Sequence, residues 1–388
     1  MKIAYLTSHF DFGNYTNRGV GYYICECLRN NGIEVEQVGF VREPWKRLFW
    51  IKSRILELFT RKRHLRHREP RIHAATGRAL SKKLAGANFD AVLAFGSLPV
   101  SYVRTDKPLI IWTDATFAGL LDYYDEYTNL TKSSVRNGNA MDQRAFDNAT
   151  HIIFSSDWAL RTALDNYSIE PSKTSMVTFG ANLDYRFTTE EIEKFVQTRA
   201  SDKCHLIANG RFWHRKGIDR AVEIARCLFR KGIKVQLDVI GCVHEIDEEA
   251  AQFVVMHGLI DKNIPSNQEK IAALFAQAHF HVLMSRFECC AHALMEAAAF
   301  GVPSVSTNTG GIPSAVIEGV NGCLFGLGSD ASEAADYIEK YLNNTDEYRS
   351  LALNTFAHYS ENQSWDVAGR KVKAIIEGLL SGNLQAGI

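Results

Sequence analysis

A chain of 388 residues, 46% apolar and 23% charged, has the makeup of an ordinary globular protein with room for two or three domains that each bury a core. Its 44 Lys and Arg balance 44 Asp and Glu, so the overall charge gives no reason to expect a nucleic-acid partner. The eight cysteines (Cys25, Cys27, Cys204, Cys227, Cys242, Cys289, Cys290 and Cys323) form no CxxC pair and no dense framework, and read as reduced, mostly buried thiols of a cytoplasmic protein. The opening MKIAYLTS is too short for a signal-peptide core, and no apolar run approaches the roughly 18 residues of a membrane span, so a spanning protein is not expected.

Residues 3–7 (IAYLT) read as a buried first strand. A loop rich in Gly, Asn and Asp follows from Asp11 to Gly21, then a helical pattern closed by Gly32, then an alternating strand from Glu34 to Phe40. Strand, glycine loop, helix and strand open a βαβ unit whose loop points to the ligand edge of a parallel sheet. The loop lacks GxGxxG, so an ordinary turn is an equal reading of it. Residues 42–83 hold 14 Lys and Arg against three acids (Glu43, Glu57 and Glu69), a surplus of 11 that leaves the remaining chain at −11. Trp45, Phe49, Trp50, Leu56 and Phe59 are threaded among the cations, as in an interfacial helix. Three readings stay open: a solvated basic helix docked by its aromatics on its own domain, an anionic membrane surface on the inner face, or, least favoured, nucleic acid.

Strand-like runs recur at Ala91–Phe95, Pro108–Thr113 and His151–Ser156, separated by helical stretches such as Arg136–Asn148, which argues for an α/β domain with a parallel sheet. Asp114 falls at a strand's carboxyl end, where such sheets bind ligands; the competing reading is a turn or helix cap. The polar segment Thr188–Lys203 reads as a linker. A second series begins with a strand at His205–Gly210 and the loop RFWHRKG (Arg211–Gly217). It continues with a helix from about Asp219 to Arg230, a strand at Val235–Gly241, a loop at His257–Asn263 and a helix at Gln268–Ala278. The expected division is a first domain over residues 1–187, joined by a C-terminal helix at about 364–388, and a second over 188–363, with a cleft between their sheet edges.

The chemistry concentrates in SRFECCAHALMEAAAFGVP (Ser285–Pro303). Glu288 falls in a strand-to-helix loop, and Glu296 falls about two turns into an Ala-, Leu- and Met-rich helix, where a carboxylate needs a partner to be buried. A helix N-terminus between two acids offers amides to an anion and carboxylates to hydroxyls, which describes a sugar nucleotide. Arg211 and Lys216 flank a loop that opens a helix and suit a diphosphate, Arg by bidentate contact and Lys as a point charge. The 13 histidines include no HxxxH pair, and no metal site is expected.

On these residues the chain resembles glycosyltransferase family 4, retaining enzymes of the GT-B fold. The resemblance is carried by NGRFWHRKGID (Asn209–Asp219) and by Ser285–Phe325, with its Glu-x7-Glu element and later Gly-Gly turn; the segments near Gly19, His151 and Val177 are looser matches. It implies two Rossmann-like domains facing each other across a deep cleft, an acceptor-binding first domain and a donor-binding second. The implied activity is transfer of a hexose-type sugar from a nucleoside-diphosphate sugar, with no cofactor and no metal. By position, Arg211 and Lys216 would hold the diphosphate, Glu288 the donor sugar and Glu296 the ribose. Backbone amides at Ala291, His292 and Ala293 would add to the phosphate site, Gly19 would let a first-domain loop approach the donor, and residues 257–263 would face the base.

The chain departs from the family pattern at four places. Cys290-Ala291 replaces Phe-Gly, Arg18 replaces a glycine, Ser314 replaces glutamate, and Asp114 stands where many members carry histidine. Asp114 is therefore expected to orient donor or acceptor hydroxyls rather than act as general base. The alternatives are a GT-B-like nucleotide-sugar binding protein without catalysis and, less favoured, a sugar-nucleotide epimerase.

Overall fold

Apolar runs that alternate with helical patterns are buried on both faces, and in the computed structural model they form two all-parallel six-stranded sheets covered by helices. The structure describes residues 1–6, 19–39 and 46–383. Most of the loop expected from Asp11, with Arg18, and the start of the basic segment, with Trp45, lie outside the described residues.

The chain divides into two compact units, Met1–Thr178 with Ala368–Ile388, and Phe179–Val367. The first runs β1 (Lys2–Leu6), α1 (Val20–Asn30), β2 (Glu34–Gln37), α2 (Lys46–Thr60), α3 (Pro70–Ala85), β3 (Ala91–Phe95), β4 (Leu109–Thr113), α4 (Phe117–Leu120), α5 (Lys132–Asn148), β5 (His151–Phe154), α6 (Asp157–Asn166) and β6 (Thr174–Met176). Its strand order is β2-β1-β3-β4-β5-β6. The second runs α7 (Thr189–Thr198), β7 (Cys204–Asn209), α8 (Ile218–Arg230), β8 (Val235–Ile240), β9 (Val254–Gly258), α9 (Pro265–Gln277), β10 (Phe280–Leu283), α10 (His292–Ala298), β11 (Ser304–Thr307), β12 (Gly322–Phe325), α11 (Ala331–Leu342) and α12 (Thr345–His358). Its order is β12-β11-β10-β7-β8-β9, so the strand order reverses between β7 and β10. In an open α/β sheet the ligand crevice lies beyond the carboxyl ends of the strands at such a reversal.

The last helix, α13 (Trp365–Ser381), begins in the second unit and continues from Ala368 as part of the first. Gly369 allows it to close on α1, because an added Cβ would lie 2.4 Å from Asn31 Nδ2 and 2.5 Å from the Cys27 carbonyl oxygen. Lys373 Nζ donates to the Asn31 carbonyl at 3.0 Å.

Three elements differ from the sequence reading. The segment expected to be a linker contains α7, started by a Thr188–Glu191 capping box, with Ile192 and Val196 buried in the second core. A few apolar positions at helical spacing were enough to recruit an otherwise polar stretch. Arg199, just past it, is buried by donating to the carbonyls of Phe300 (2.9 Å) and Gly301 (3.0 Å) and to the Tyr348 hydroxyl (2.6 Å). Strand β9 takes in His257 and Gly258, the start of the expected loop. The basic segment splits in two: α2 leaves much of its surface exposed, whereas α3 turns Ile72, Leu80 and Leu84 into the first unit's interior.

Three histidines are locked neutral. Burial lowers the pKa of His151 to about 4, of His279 to about 4 and of His281 to about 3, with the Lys216 charge adding to the effect at His281. His279 Nδ1 accepts from the His205 amide at 3.1 Å while Nε2 donates to the Ala200 carbonyl at 3.0 Å, a pattern that a second proton would break. Below the unfolded value near 6.5 the unfolded chain takes up protons that these native sites refuse, so stability falls as pH falls. Denaturant unfolding at a series of pH values is expected to lose up to ~1.4 kcal/mol per pH unit for each such histidine between about pH 6.5 and 4.5. A flat profile through that window would contradict the burial assignment.

Candidate functional site

The loops after β7 and β10 flank the strand-order reversal of the second sheet, and they carry the residues singled out in the sequence. The loop after β7 turns tightly, with Lys216 N–H donating to the Phe212 carbonyl at 2.9 Å and Gly217 N–H to that of His214 at 3.1 Å. Gly217 ends the turn at φ +63° as the N-cap of α8. An added Cβ there would stand 1.8 Å from the Met284 carbonyl oxygen at the end of β10, so this position needs glycine for both conformation and space. That close approach sets Lys216 against the second loop.

Lys216 Nζ donates to Glu288 Oε2; the Glu288 side chain is almost fully buried and that of Lys216 mostly so. Ser285 Oγ lies 3.4 Å from the same oxygen and Arg215 Nη1 3.9 Å from it. The two loops are tied a second time by Arg286, which pairs with Asp219 through both terminal nitrogens (2.9 and 2.8 Å) and donates its amide to the Arg215 carbonyl (2.9 Å). Burial opposes ionisation of Asp219, but the Arg286 hydrogen bonds and charge outweigh it and hold the carboxyl below its usual pKa. The Gly-Gly turn takes part through Gly311, whose N–H donates to the Glu288 carbonyl at 2.9 Å. It clamps the loop that presents the first glutamate.

Glu296 lies on α10, which starts only at His292, so the second glutamate sits little more than one turn into a seven-residue helix rather than two. It is 3% exposed, and both of its oxygens are engaged: Lys262 Nζ donates to Oε1, and Asn209 Nδ2 donates to Oε2 at 3.0 Å. Asn209 Oδ1 in turn accepts from His281 Nε2 at 2.8 Å, which makes Nε2–H the tautomer, with Nδ1 3.3 Å from Ser304 Oγ. The neutral imidazole therefore orients the amide, and the amide orients the carboxylate. A buried carboxylate with this support stays in one place.

The other singled-out positions divide. Ala291 is buried as the N-cap of α10, with no side chain capping the first turn, and Ala293 is half-buried. His292 Nδ1 donates to the Gly180 carbonyl at 3.2 Å while its ring stacks on Phe179 at 5.6 Å. Arg211 is exposed, and no hydrogen bond or ion pair from it is found among the described residues. In the first unit Gly19 is the N-cap of α1 at φ −88°, a conformation open to any residue, and half-buried Asp114 directly follows β4 at the carboxyl edge of its sheet. No group of three or more metal-ligating side chains occurs among the described residues.

Sequence reasoning passed over Asn209, Lys262 and Arg215, although each stood in a segment it had marked. The available signal was position: Asn209 ends a buried strand beside an expected ligand loop, and a buried glutamate demands a cation from somewhere. Only the fold shows that this cation comes from the loop after β9. Substituting alanine for Gly217 is expected to cost on the order of 2–4 kcal/mol, from backbone strain and the clash with Met284. Asn209→Ala is expected to cost ~1–3 kcal/mol by stranding His281 and one Glu296 oxygen. Thermal and denaturant unfolding read both, and a neutral Gly217→Ala would show that the two loops are not held this close.

Residues 189–357 match the family model described as Glycosyl transferases group 1. The glycogen synthase of Xanthomonas campestris pv. campestris (strain 8004) is 29% identical over 188 residues, 48% of this chain and 39% of that protein. An uncharacterized 41.2 kDa protein in the cps region of Klebsiella pneumoniae is 24% identical over 193 residues, 49% of this chain and 51% of that protein. The match thus spans about two fifths to half the length of these curated relatives. Among solved structures, sucrose-phosphate synthase from Thermosynechococcus elongatus superposes with TM-score 0.67 at 17% identity, covering 98% of this chain and 99% of that one. Anabaena HepE, solved in complex with UDP and glucose, gives TM-score 0.59 at 15% identity, covering 97% and 99%. The chain has the two-sheet GT-B fold, and residues 189–357, in its second unit, are similar to the glycosyl transferases group 1 family.

Proposed function

We propose that this protein is a retaining glycosyltransferase that moves a hexose-type sugar from a nucleoside-diphosphate sugar to an acceptor hydroxyl. The observation that carries the reading is the Lys216–Glu288 pair beside the doubly held Glu296, at the strand-order reversal of a domain that matches glycosyl transferases group 1. A nucleoside diphosphate needs an acceptor group for ribose hydroxyls and cations for its phosphates, and this set of loops provides both. The UDP and glucose held by HepE, a protein of similar fold, favour the same ligand class.

In the proposed reaction the bond from the sugar's anomeric carbon to the diphosphate oxygen breaks. A bond from the acceptor oxygen forms on the same face, and the leaving phosphate takes the acceptor proton. Negative charge grows on the phosphate, so Lys216 and Arg211 act where the transition state is most charged. Lys216 can serve because Glu288 already holds its ammonium in place, and Arg211 has no competing partner among the described residues. Glu288 then contacts the donor sugar. The ribose hydroxyls replace the Lys262 ammonium on Glu296, while Asn209 keeps the other oxygen fixed. Amides of Ala291, His292 and Ala293 add to the phosphate contacts, and the loop through residues 257–263 meets the base. Asp114 orients hydroxyls of donor or acceptor. No metal or cofactor enters this scheme, and the reaction is set in the cytoplasm, in keeping with eight cysteines that form no disulfide among the described residues.

Glu288→Gln and Lys216→Ala are each expected to lower turnover on the order of 10²- to 10³-fold with the fold retained, measured as sugar transfer or as slow hydrolysis of the donor. Full activity in either variant would remove the mechanism. Calorimetry against UDP, GDP, ADP and dTDP is expected to detect at least one ligand, bound roughly tenfold or more weakly after Arg211→Ala. Nucleotide binding without any hydrolysis or transfer across a panel of donor sugars would instead favour a binding protein.

A further inference from the structure

Helix α2 has two faces that solve different problems. One packs on its own unit, with Phe49 and Ser53 buried and Leu56 half-buried. Ser53 Oγ donates to the His64 carbonyl at 3.0 Å, and Lys52 pairs with Glu69 at 2.5 Å. Glu69 also receives His64 Nε2 at 2.7 Å, and His64 Nδ1 lies 3.2 Å from Thr131 Oγ1 at the start of α5. The chain after α2 is fixed as well, through a bridge of Arg63 to Leu130 and the Arg63 amide on the Asn129 carbonyl (2.9 Å). The helix is thus fastened by one side.

The other face carries Leu48, Ile51, Ile55, Leu58 and Phe59, a helical stripe roughly 100° wide that is exposed among the described residues. Leu58 is 78% and Phe59 81% exposed, and Trp50 beside the stripe is 53% exposed. Scattered exposed apolar residues are ordinary, but a continuous stripe on one helix marks a binding surface. Around it, residues 46–63 hold seven Lys and Arg and a single acid, Glu57. Arg47, Arg54, Arg61, Lys62 and Arg63 are all exposed. This pattern differs from that expected in the sequence, since Phe49 and Leu56 turn inward while Leu48, Ile51, Ile55 and Leu58 join Phe59 on the free face.

We propose that the exposed stripe of α2, with its flanking cations, docks this protein on an anionic lipid bilayer. Apolar side chains enter the headgroup–acyl boundary while Arg and Lys meet the lipid phosphates, as amphipathic interfacial helices do. Charge decides between a membrane and a second copy of the chain: a symmetric pairing of this face would bring basic flank against basic flank, whereas an anionic surface complements it. The docked helix needs no folding on arrival, because its buried side already holds it. No helix among the described residues is long and apolar enough to cross a membrane. The proposal is independent of the sugar-transfer reading.

Co-sedimentation of the full chain with phosphatidylglycerol–phosphatidylcholine vesicles tests it, beside pure phosphatidylcholine. Binding is expected only with the anionic lipid, and it should weaken as salt rises from about 0.1 to 0.5 M. The double variant Leu58→Glu/Phe59→Glu should lower the partition coefficient on the order of tenfold to a hundredfold at unchanged melting temperature, and Arg47→Glu/Lys62→Glu should lower it in a salt-sensitive way. Three results overturn the idea. Equal or absent binding to the two vesicle types would exclude an anionic-membrane face. A lower melting temperature in the Leu58/Phe59 variant would place the stripe inside the chain's own fold. A dimer that the same variant dissolves would assign it to a second copy.

Discussion

A carboxylate is stable inside a protein only when donors or cations reach it, and the second unit is built around two that are nearly fully buried. Glu288 is met by Lys216 from the loop after β7, and Glu296 by Asn209 at the end of β7 and Lys262 from the loop after β9. The acids and their partners together come from three different strand ends, those of β7, β9 and β10. The pairs can therefore form only when β7, β9 and β10 are in register, with Gly217 pressed beneath the Met284 carbonyl. The same requirement explains why the Arg286–Asp219 pair and the Gly311 amide bind the loops together. Without those ties the carboxylates would be free to turn toward water.

The arrangement also gives the proposed reaction its economy. Each acid is already paired, so under the proposal a diphosphate and a ribose would exchange one set of partners for another rather than enter a bare charged cavity. The supporting residues are not themselves reactive. His281 is held neutral by burial beside Lys216, and its one N–H points at Asn209. That chain of contacts sets the position of a carboxylate two groups away. The first unit contains a comparable buried network, in which Asp142 pairs with Arg68 (2.7 Å) and accepts from Ser97 Oγ (2.7 Å) and the Phe117 amide (2.6 Å). There the network organises the carboxyl ends of β3 and β4, and beside it the Glu69–His64 contacts fasten α2.

Much of this was legible in the chain. The run AVLAF reads as a buried strand and forms β3 over the same residues, because an unbroken apolar run of that length fits a parallel sheet covered on both faces. The Glu288 loop followed from a strand pattern running into a helix pattern. Other elements were hidden for identifiable reasons. Helix α7 was masked by its polar composition, since only its buried side, with Ile192 and Val196, belongs to the core. Strand β9 is short and partly exposed, so its pattern was too weak to separate from the loop that follows. In α2 the expected grouping of aromatics on one face did not form, with Phe49 buried and Trp50 and Phe59 exposed, because a dense mixture of aromatic and aliphatic residues allows either face to be the buried one.

The sequence by itself determined which residue types lie next to which strand ends, and so the two α/β halves, the paired glutamates and the basic loop. These are local properties, written in periodicity and in spacing along the chain. Tertiary structure alone decided the partners. It brought Lys262 to Glu296 across 34 positions and Lys216 to Glu288 across 72, and it chose the buried face of α2. The physical reason is that ion pairs and helix burial depend on how strands are ordered in a sheet, and strand order is a property of the whole folded unit rather than of any segment.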